Sequence, residues 1–389
     1  MNCKNDYAAS RLSALYHNIS IWLLSCAIIL RLLLPGLTVT IGENAFIWLF
    51  AWGSFLFVII DAQYKQYWCL KNPLLTIIIL VWILFAFLTE LWALDRMSAH
   101  FQNLTWSCDI VIFFTICYFG KDKNIYRYIV SLLLSCFVLE IFYGIYQYFL
   151  QLPALQFYIN ENASVLNSLE LSKNLLDIFH VKLKIPNIFG HFTLTNSLGG
   201  YLILYIPVFI TFCCCKTNKK IVLVTLLILS LSVLLMSGSR GSFLSLFLAC
   251  LIWIMYYYFK IDKKRKYVLL IILFTSTITL VLFKYTNIFD FIGTHGLTMV
   301  MRIGYLAGAT RIYKNSLICG VGIDNFKHHY YKYKDVWTEE VNKAHNFYFQ
   351  WFTETGLIGT IILIILILVI FFILLKNNRE KPQKFFPQT

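Results

Sequence analysis

Apolar residues along this chain gather in long blocks instead of alternating with polar ones. The blocks run at 19–39, 44–60, 73–91, 104–119, 127–150, 192–215, 221–236, 242–259, 267–283 and 346–375. A helix of about 20 apolar residues crosses a hydrocarbon core of about 30 Å, and a backbone in lipid must satisfy its own hydrogen bonds. Each block is therefore predicted to be a membrane-spanning helix. The expected fold class is all-α, a polytopic integral membrane protein of about 10 (10–12) transmembrane helices.

The segments between blocks alternate in basic content. Lys65 and Lys71, then Lys121, Lys123 and Arg127, then Lys216, Lys219 and Lys220, the run from Lys260 to Lys266 and the tail from Lys376 to Lys384 fall on one side. The opposite short connections, 40–43, 92–103 and 237–241, hold only Arg96 and Arg240. The positive-inside bias puts the first set, and both termini, in the cytoplasm. The predicted organisation is N-terminal transmembrane helices over 1–150, an extracytoplasmic loop at 151–191 and transmembrane helices over 192–283, including the Arg240 turn. A large extracytoplasmic loop at 284–345, a final span at 346–375 and a cytoplasmic tail at 376–389 follow. The large loop carries eight Lys and Arg residues, but long loops translocate largely regardless of charge. Its aromatic residues and the apolar stretch from Leu297 to Leu306 predict that it is folded and partly helical.

Composition agrees. Hydrophobic residues make up 59% and charged residues 13%, with mean hydropathy +0.70; soluble domains average about 25% charged. A formal charge of +14 would point to nucleic acid in a soluble protein. Here the basic residues lie between apolar blocks, so they read as a topology signal, and the expected partner is the bilayer, with no nucleic acid. The first block carries Arg31, unlike the uncharged core of a cleavable leader, so none is expected to be removed. Most of the 11 cysteines lie in or beside apolar blocks, the large loop holds only Cys319, and no Cys-x-x-Cys pair occurs. Neither a disulfide framework nor a structural zinc is expected.

Candidate chemistry gathers on the predicted outward side. Ser237-Gly238-Ser239-Arg240-Gly241-Ser242 is a tight turn with one arginine at the membrane edge. Arg302 and Arg311 lie in the large loop, ahead of a glycine-rich bend at Gly320-Val321-Gly322. His345-Asn346 opens the final apolar block, which contains Gly356 and Gly359. An arginine fork donates paired hydrogen bonds to phosphate and stays charged, so Arg240 and Arg302 suit a diphosphate leaving group. A histidine titrates near neutrality and can take a proton from an attacking hydroxyl. A base beside a diphosphate clamp suffices for glycosyl transfer from a lipid carrier without a metal or cofactor. No Asp-x-Asp pair or phosphate-binding Gly-Lys-Ser/Thr loop is present, which disfavours nucleotide donors.

These motifs resemble the O-antigen ligase and polymerase superfamily of bacterial envelope glycosyltransferases. His345-Asn346, nine residues, then Gly356-x-x-Gly359 reproduces that family's His-[Asn/Ser/Gln]-x9-Gly-x-x-Gly pattern. Arg240-x-x-x-Leu244 matches its Arg-x-x-x-Leu, and Arg302 followed by Asn315-Ser316-Leu317 and Gly320-Val321-Gly322 resembles its Arg…Asn-Pro-Leu-x-Gly-Val-Gly stretch, with Ser316 in place of the proline. Trp92-Ala93-Leu94-Asp95, Gly144-x-x-Gln147 and Gly190-His191-Phe192 with Asn196 are fainter echoes. The resemblance implies a polyprenyl (undecaprenyl) diphosphate-linked glycan donor, a glycan or lipid acceptor such as lipid A core, and a site on the periplasmic face of a bacterial cytoplasmic membrane. It implies His345 as general base, Arg240 and Arg302 on the diphosphate, and Asn346, Arg311, Gly320, Gly322, Gly356 and Gly359 in support. Ligase, repeat polymerase and protein O-oligosaccharyltransferase share this donor chemistry, and no C-terminal soluble domain is visible to favour the last.

Blander roles compete. His345 could instead anchor a span and Arg240 snorkel at the interface, though their motifs favour the functional reading, while Arg311 reads rather as a solvated or structural charge. His191, His295, His328 and His329 read as surface groups, and Gly356 and Gly359 as helix-packing positions. Arg31, Asp109 and Glu140 fall inside predicted spans, where a charge is costly and reads as paired or functional. A transporter or flippase also fits many spans, but such folds show repeated halves and interrupted helices, and neither is visible in the sequence.

Overall fold

The computed structural model describes residues 2–34, 41–65, 72–120, 122–161, 187–192, 194–214, 220–258 and 288–380. Among these residues all regular structure is helical. The N-terminal helices are α1 (Asn2–Leu33), α2 (Ile41–Tyr64), α3 (Pro73–Leu88), which runs into a 3-10 turn at Thr89–Leu91, α4 (Arg96–Phe119) and α5 (Lys123–Tyr146). A π-helical turn at Gln147–Gln151 joins α5 to α6 (Leu152–Glu161). Then come α7 (Thr195–Cys214), α8 (Lys220–Met236), α9 (Arg240–Tyr258), α10 (Ile288–Asn315), α11 (Phe326–Tyr333) and α12 (Phe347–Glu380).

Among the described residues, five helical stretches are long and apolar enough to cross a membrane: Leu12–Leu33, Asn44–Tyr64, Pro73–Leu91, Lys123–Glu161 and Phe347–Ile373. Three shorter apolar helices occupy Thr195–Ile210, Lys220–Met236 and Arg240–Leu251. The block expected at 104–119 lies in α4, whose Asn103, Ser107 and Thr115 are buried polar positions. The block at 267–283 and most of the 151–191 loop lie outside the described residues. The Lys123–Glu161 stretch has 39 residues; at 1.5 Å per residue it is about 58 Å long, nearly twice the hydrocarbon thickness. Its last turns therefore continue as helix past the membrane core, where the sequence predicted loop.

The chain divides into two compact units, one made of Met1–Leu24, Phe46–Asp122 and Ile278–Thr389, the other of Ser25–Ala45 and Lys123–Thr277. In the first, α1 and α2 cross at small residues, where Ser20 Oγ donates to Ser54 O (2.9 Å) and Ser54 Oγ to Ser20 O (2.8 Å). Asp61, fully buried near the end of α2, accepts from Ser13, Lys65 and Tyr118 and meets the His17 ring. Those partners satisfy a carboxylate that would otherwise be costly to bury. Farther along, Trp82 of α3, Trp106 of α4 and Trp351 of α12 stack with centroids 5.3–5.5 Å apart. In α10, Gly304 and Gly308 leave room for Trp337 and Thr338 and for the Tyr330 ring to approach its backbone. Tyr305, Ala309, Ile312, Val321, Phe326, Tyr330 and Ala344 form the core there.

The second unit is built on Phe137, Ile141, Ile188, Leu198, Leu202, Ile206, Phe209, Val233 and Leu234. These are apolar faces of α5, α7 and α8 with Ile188 of the short segment 187–192 inserted among them.

Candidate functional site

The final apolar helix is not continuous. Gly356 has φ 63°, ψ −158° inside α12, a region essentially confined to glycine. The break strands carbonyls before it and N–H groups after it, which would be expensive within a span. The Leu317–Gly322 bend satisfies them. Val321 N and Gly322 N donate to Thr353 O (3.0 Å) and Glu354 O (2.9 Å), while Leu357 N and Ile358 N donate to Leu317 O (2.8 Å) and Ile318 O (3.2 Å). The approach is so close that a Cβ on Gly356 would lie 2.5 Å from Gly320 N and Ile318 O, and one on Gly320 would strike the Glu354 carbonyl. Gly320 and Gly356 are thus two halves of one backbone clasp. Gly322 (φ 93°) adds a third close approach, to Ala93 beside the α3–α4 connection.

The clasp holds the start of α12. Asn346 Oδ1 accepts from Tyr348 N (3.0 Å) and Phe349 N (3.2 Å), so its side chain caps the helix. His345, just before it, takes a left-handed backbone (φ 52°), uncommon for a residue with a side chain and a mark of a constrained position. Its imidazole keeps an exposed edge and lies 5.7 Å from the Tyr305 ring. Partial desolvation, and then the charge of Arg302 one turn before Tyr305 on α10, hold His345 below its ordinary value. Arg302 and His345, 43 positions apart in sequence, are thereby brought together. Arg311 is elsewhere occupied, donating to Asp335 (2.8 Å) and Tyr333 O (2.9 Å).

Behind this face runs a polar network that the sequence reading did not single out. Asn325 Oδ1 accepts from Asp95 N (2.7 Å) and Asn325 Nδ2 donates to Asp95 O (3.1 Å), binding the bend to the start of α4. Asp95 caps α4, and the Ser98 N–H and hydroxyl hold its carboxyl at about 2. His328 Nε2 lies 3.4 Å from that carboxylate. Asp324, also left-handed (φ 55°), is pushed up by burial. Glu354, buried in α12, accepts from Gln350 (3.0 Å) and from the backbone N–H groups of Asp324 and Phe326. Asp95 falls in a faint family echo; Glu354 stands two residues before Gly356 with no spacing signal of its own. Among the described residues no three His, Cys, Asp or Glu side chains gather as a metal site would require.

Arg240 belongs to the second unit. It is the first residue of α9 and is exposed. Its turn is knit by Ser239 Oγ, which donates to Asn196 Oδ1 (2.9 Å) and lies 2.7 Å from Ser242 Oγ. Ile188 N donates to Met236 O (3.3 Å), and Gly238 (φ 62°) leaves no room for a Cβ beside the Asn187 carboxamide. The turn therefore rests on the 187–192 segment and on Asn196 of α7. That segment holds His191, whose Nδ1 lies 2.7 Å from the Oε2 of buried Glu140.

With five membrane-length apolar stretches among the described residues and a glycine-broken final helix, this is a multi-pass membrane protein. Residues 224–364 match the family model described as O-Antigen ligase, a match that supports the O-antigen ligase superfamily. Members of this family are glycosyltransferase-like enzymes of the ligase and polymerase type. The matched segment includes Arg240, Arg302, the Gly320–Gly322 bend, His345 and Gly356. No curated protein and no solved structure matches the chain.

Proposed function

We propose that the protein transfers a glycan from a polyprenyl (undecaprenyl) diphosphate carrier to an acceptor hydroxyl on the periplasmic face of the cytoplasmic membrane, as an O-antigen ligase acting on lipid A core. The observation that carries this reading is the juxtaposition of Arg302 with His345. An imidazole held below its ordinary value is neutral at physiological pH and so able to accept a proton. His345 takes the proton of the acceptor hydroxyl as its oxygen forms a bond to the anomeric carbon. The anomeric carbon–oxygen bond to the diphosphate breaks, and the carrier leaves with the electron pair. Arg302 and Arg240 bind the diphosphate and stabilise the charge it gains. Direct displacement inverts the anomeric configuration. Base and guanidinium groups suffice for these steps, so transfer should persist in a chelator.

The test is a deletion strain complemented with variants. Loss of all core-attached O-glycan on deletion supports the ligase reading, whereas a single attached repeat identifies a polymerase. Unchanged envelope glycans would overturn both. His345→Ala and Arg240→Ala proteins that reach the membrane should fail to restore transfer, and normal glycan with either variant would remove that residue from the site.

A further inference from the structure

The least expected chemistry of the second unit lies at Glu140. A carboxylate wholly inside a membrane helix is costly unless paired, and Glu140 is fully buried. Its Oε1 accepts the backbone N–H of His191 (2.9 Å), and its Oε2 faces His191 Nδ1 at 2.7 Å. The segment carrying His191 is shaped around that pairing. Gly190 is left-handed (φ 62°), and a Cβ there would collide with Glu140 Oε1. One helical turn and three residues on, Gln147 Oε1 accepts both Phe189 N (2.8 Å) and Gly190 N (2.9 Å). Gln147 opens the π-helical turn, a feature frequent at functional sites. Tyr143 stacks on the imidazole with centroids 3.9 Å apart and planes at 21°.

A purely structural clasp would need only the backbone bonds, which a neutral amide at position 140 would also accept. The second carboxylate oxygen does something more: it fixes the tautomer. With Nδ1 held against Glu140, Nε2 is the ring nitrogen left for a ligand, on a side chain that remains 24% accessible, the arrangement by which a carboxylate orients a catalytic or ligand-binding histidine. The position along the helix also fits. If Lys123 marks the inner boundary, Glu140 lies about 26 Å along α5, close to the far edge of a core of about 30 Å. A carboxyl group behind the imidazole disfavours an anion as the ligand, and the flanking rings of Tyr143 and Tyr146 offer faces of the kind sugars lie against.

We propose that His191, oriented by Glu140, is a binding site for a saccharide hydroxyl, accepting its O–H at Nε2 beside the Tyr143 ring. The site rests on the proposed function for the origin of its saccharide, the glycan carried on the polyprenyl diphosphate. It lies on the segment that supports the Arg240 turn, so a carrier whose diphosphate meets Arg240 would present its sugar nearby.

The test uses the full chain in nanodiscs, with polyprenyl diphosphate added either bearing its glycan or stripped of it. Carbethoxylation of His191 by diethyl pyrocarbonate, followed by peptide mass spectrometry, should slow about fivefold with the glycosylated carrier, the scale of one net hydrogen bond. The stripped carrier should leave the rate unchanged. Equal protection by both would reveal a phosphate contact and overturn the hydroxyl assignment; protection by neither overturns it as well. Glu140→Gln keeps an acceptor for the His191 N–H and should fold, yet lose the protection; full protection in that variant also counts against the orienting role. Glycan transfer is scored separately on the same samples. Protection without any transfer would leave the saccharide site standing and sink the proposed function, whereas transfer with unprotected His191 would do the reverse.

Discussion

His345 is the residue on which the proposed chemistry turns, and its protonation gives a direct check. Desolvation and then Arg302 hold it below an ordinary imidazole, which titrates at about 6.5. The neutral, proton-accepting form is therefore full at neutral pH and is lost only as pH falls through a value under that figure. Arg302→Gln removes one of the two causes, so the acid limb of kcat/KM should move upward toward the ordinary value. An unmoved limb with a reduced plateau would mean that Arg302 acts on the donor alone. Asn346 separates from its neighbour in the same experiment. As a helix cap, its loss in Asn346→Ala should cost about 1 kcal/mol of stability, read as a lower melting temperature, with the pH profile intact; an altered profile would give the amide a part in the chemistry. At this scale His345, Arg302 and Arg240 could be singled out as candidates, because their spacing to glycines and leucine is written along the chain. The Glu140–His191 pair and the Glu354–Asp324 contacts were not, because residues 30 to 51 positions apart meet only after folding. His191 in particular read as a surface group, and instead it is tied to a buried carboxylate.

At the scale of elements, the final helix corrects the reading of its glycines. Gly356 and Gly359 were expected to pack helices together. Gly359 is so placed, with a Cβ there coming within 3.0 Å of the Phe85 ring on α3, but Gly356 breaks its helix and joins it to the Leu317–Gly322 bend through four backbone hydrogen bonds. One letter code serves both purposes, and only the partner segment distinguishes them. The interrupted helix also removes one ground used against a transporter, since broken spans are common there; the family match over 224–364 now carries that distinction. Gly356→Ala combines a glycine-only backbone with contact at 2.5 Å to two backbone atoms, neither of which can swing away. The substitution should cost about 2 kcal/mol or more, visible as a lowered melting temperature of the detergent-solubilised protein. It should also abolish transfer, because the clasp fixes where α12 and His345 begin. A variant with wild-type melting would show that the break is not enforced by this glycine.

Over the whole molecule, periodicity and charge carried the all-helical architecture, since a lipid-facing backbone has few alternatives. The count of spans is a harder quantity. Five stretches meet membrane length, three more apolar helices are shorter, and α4 mixes Asn103, Ser107 and Thr115 into its buried face. A helix whose polar face is covered by neighbours can still cross a membrane, and hydropathy along one chain does not register that cover. The charge pattern makes the sharper statement: Lys65, Lys121 and Lys220 on one side, Arg96, Arg240 and His345 on the other. Compartment-sensitive reporters fused after Lys65, Lys121 and Lys220 should be active only in the cytoplasm, and those after Arg96, Ser239 and Lys343 only outside it. If α4 does not cross, the reporters after Arg96 and Lys121 will agree with each other, the alternation will shift by one from that point, and Arg240 will fall on the cytoplasmic face. The diphosphate role proposed for Arg240 would then fail together with the topology. If the alternation holds, Arg240 and His345 both fall on the outer face of the membrane, as the proposed transfer from a translocated lipid-linked glycan requires.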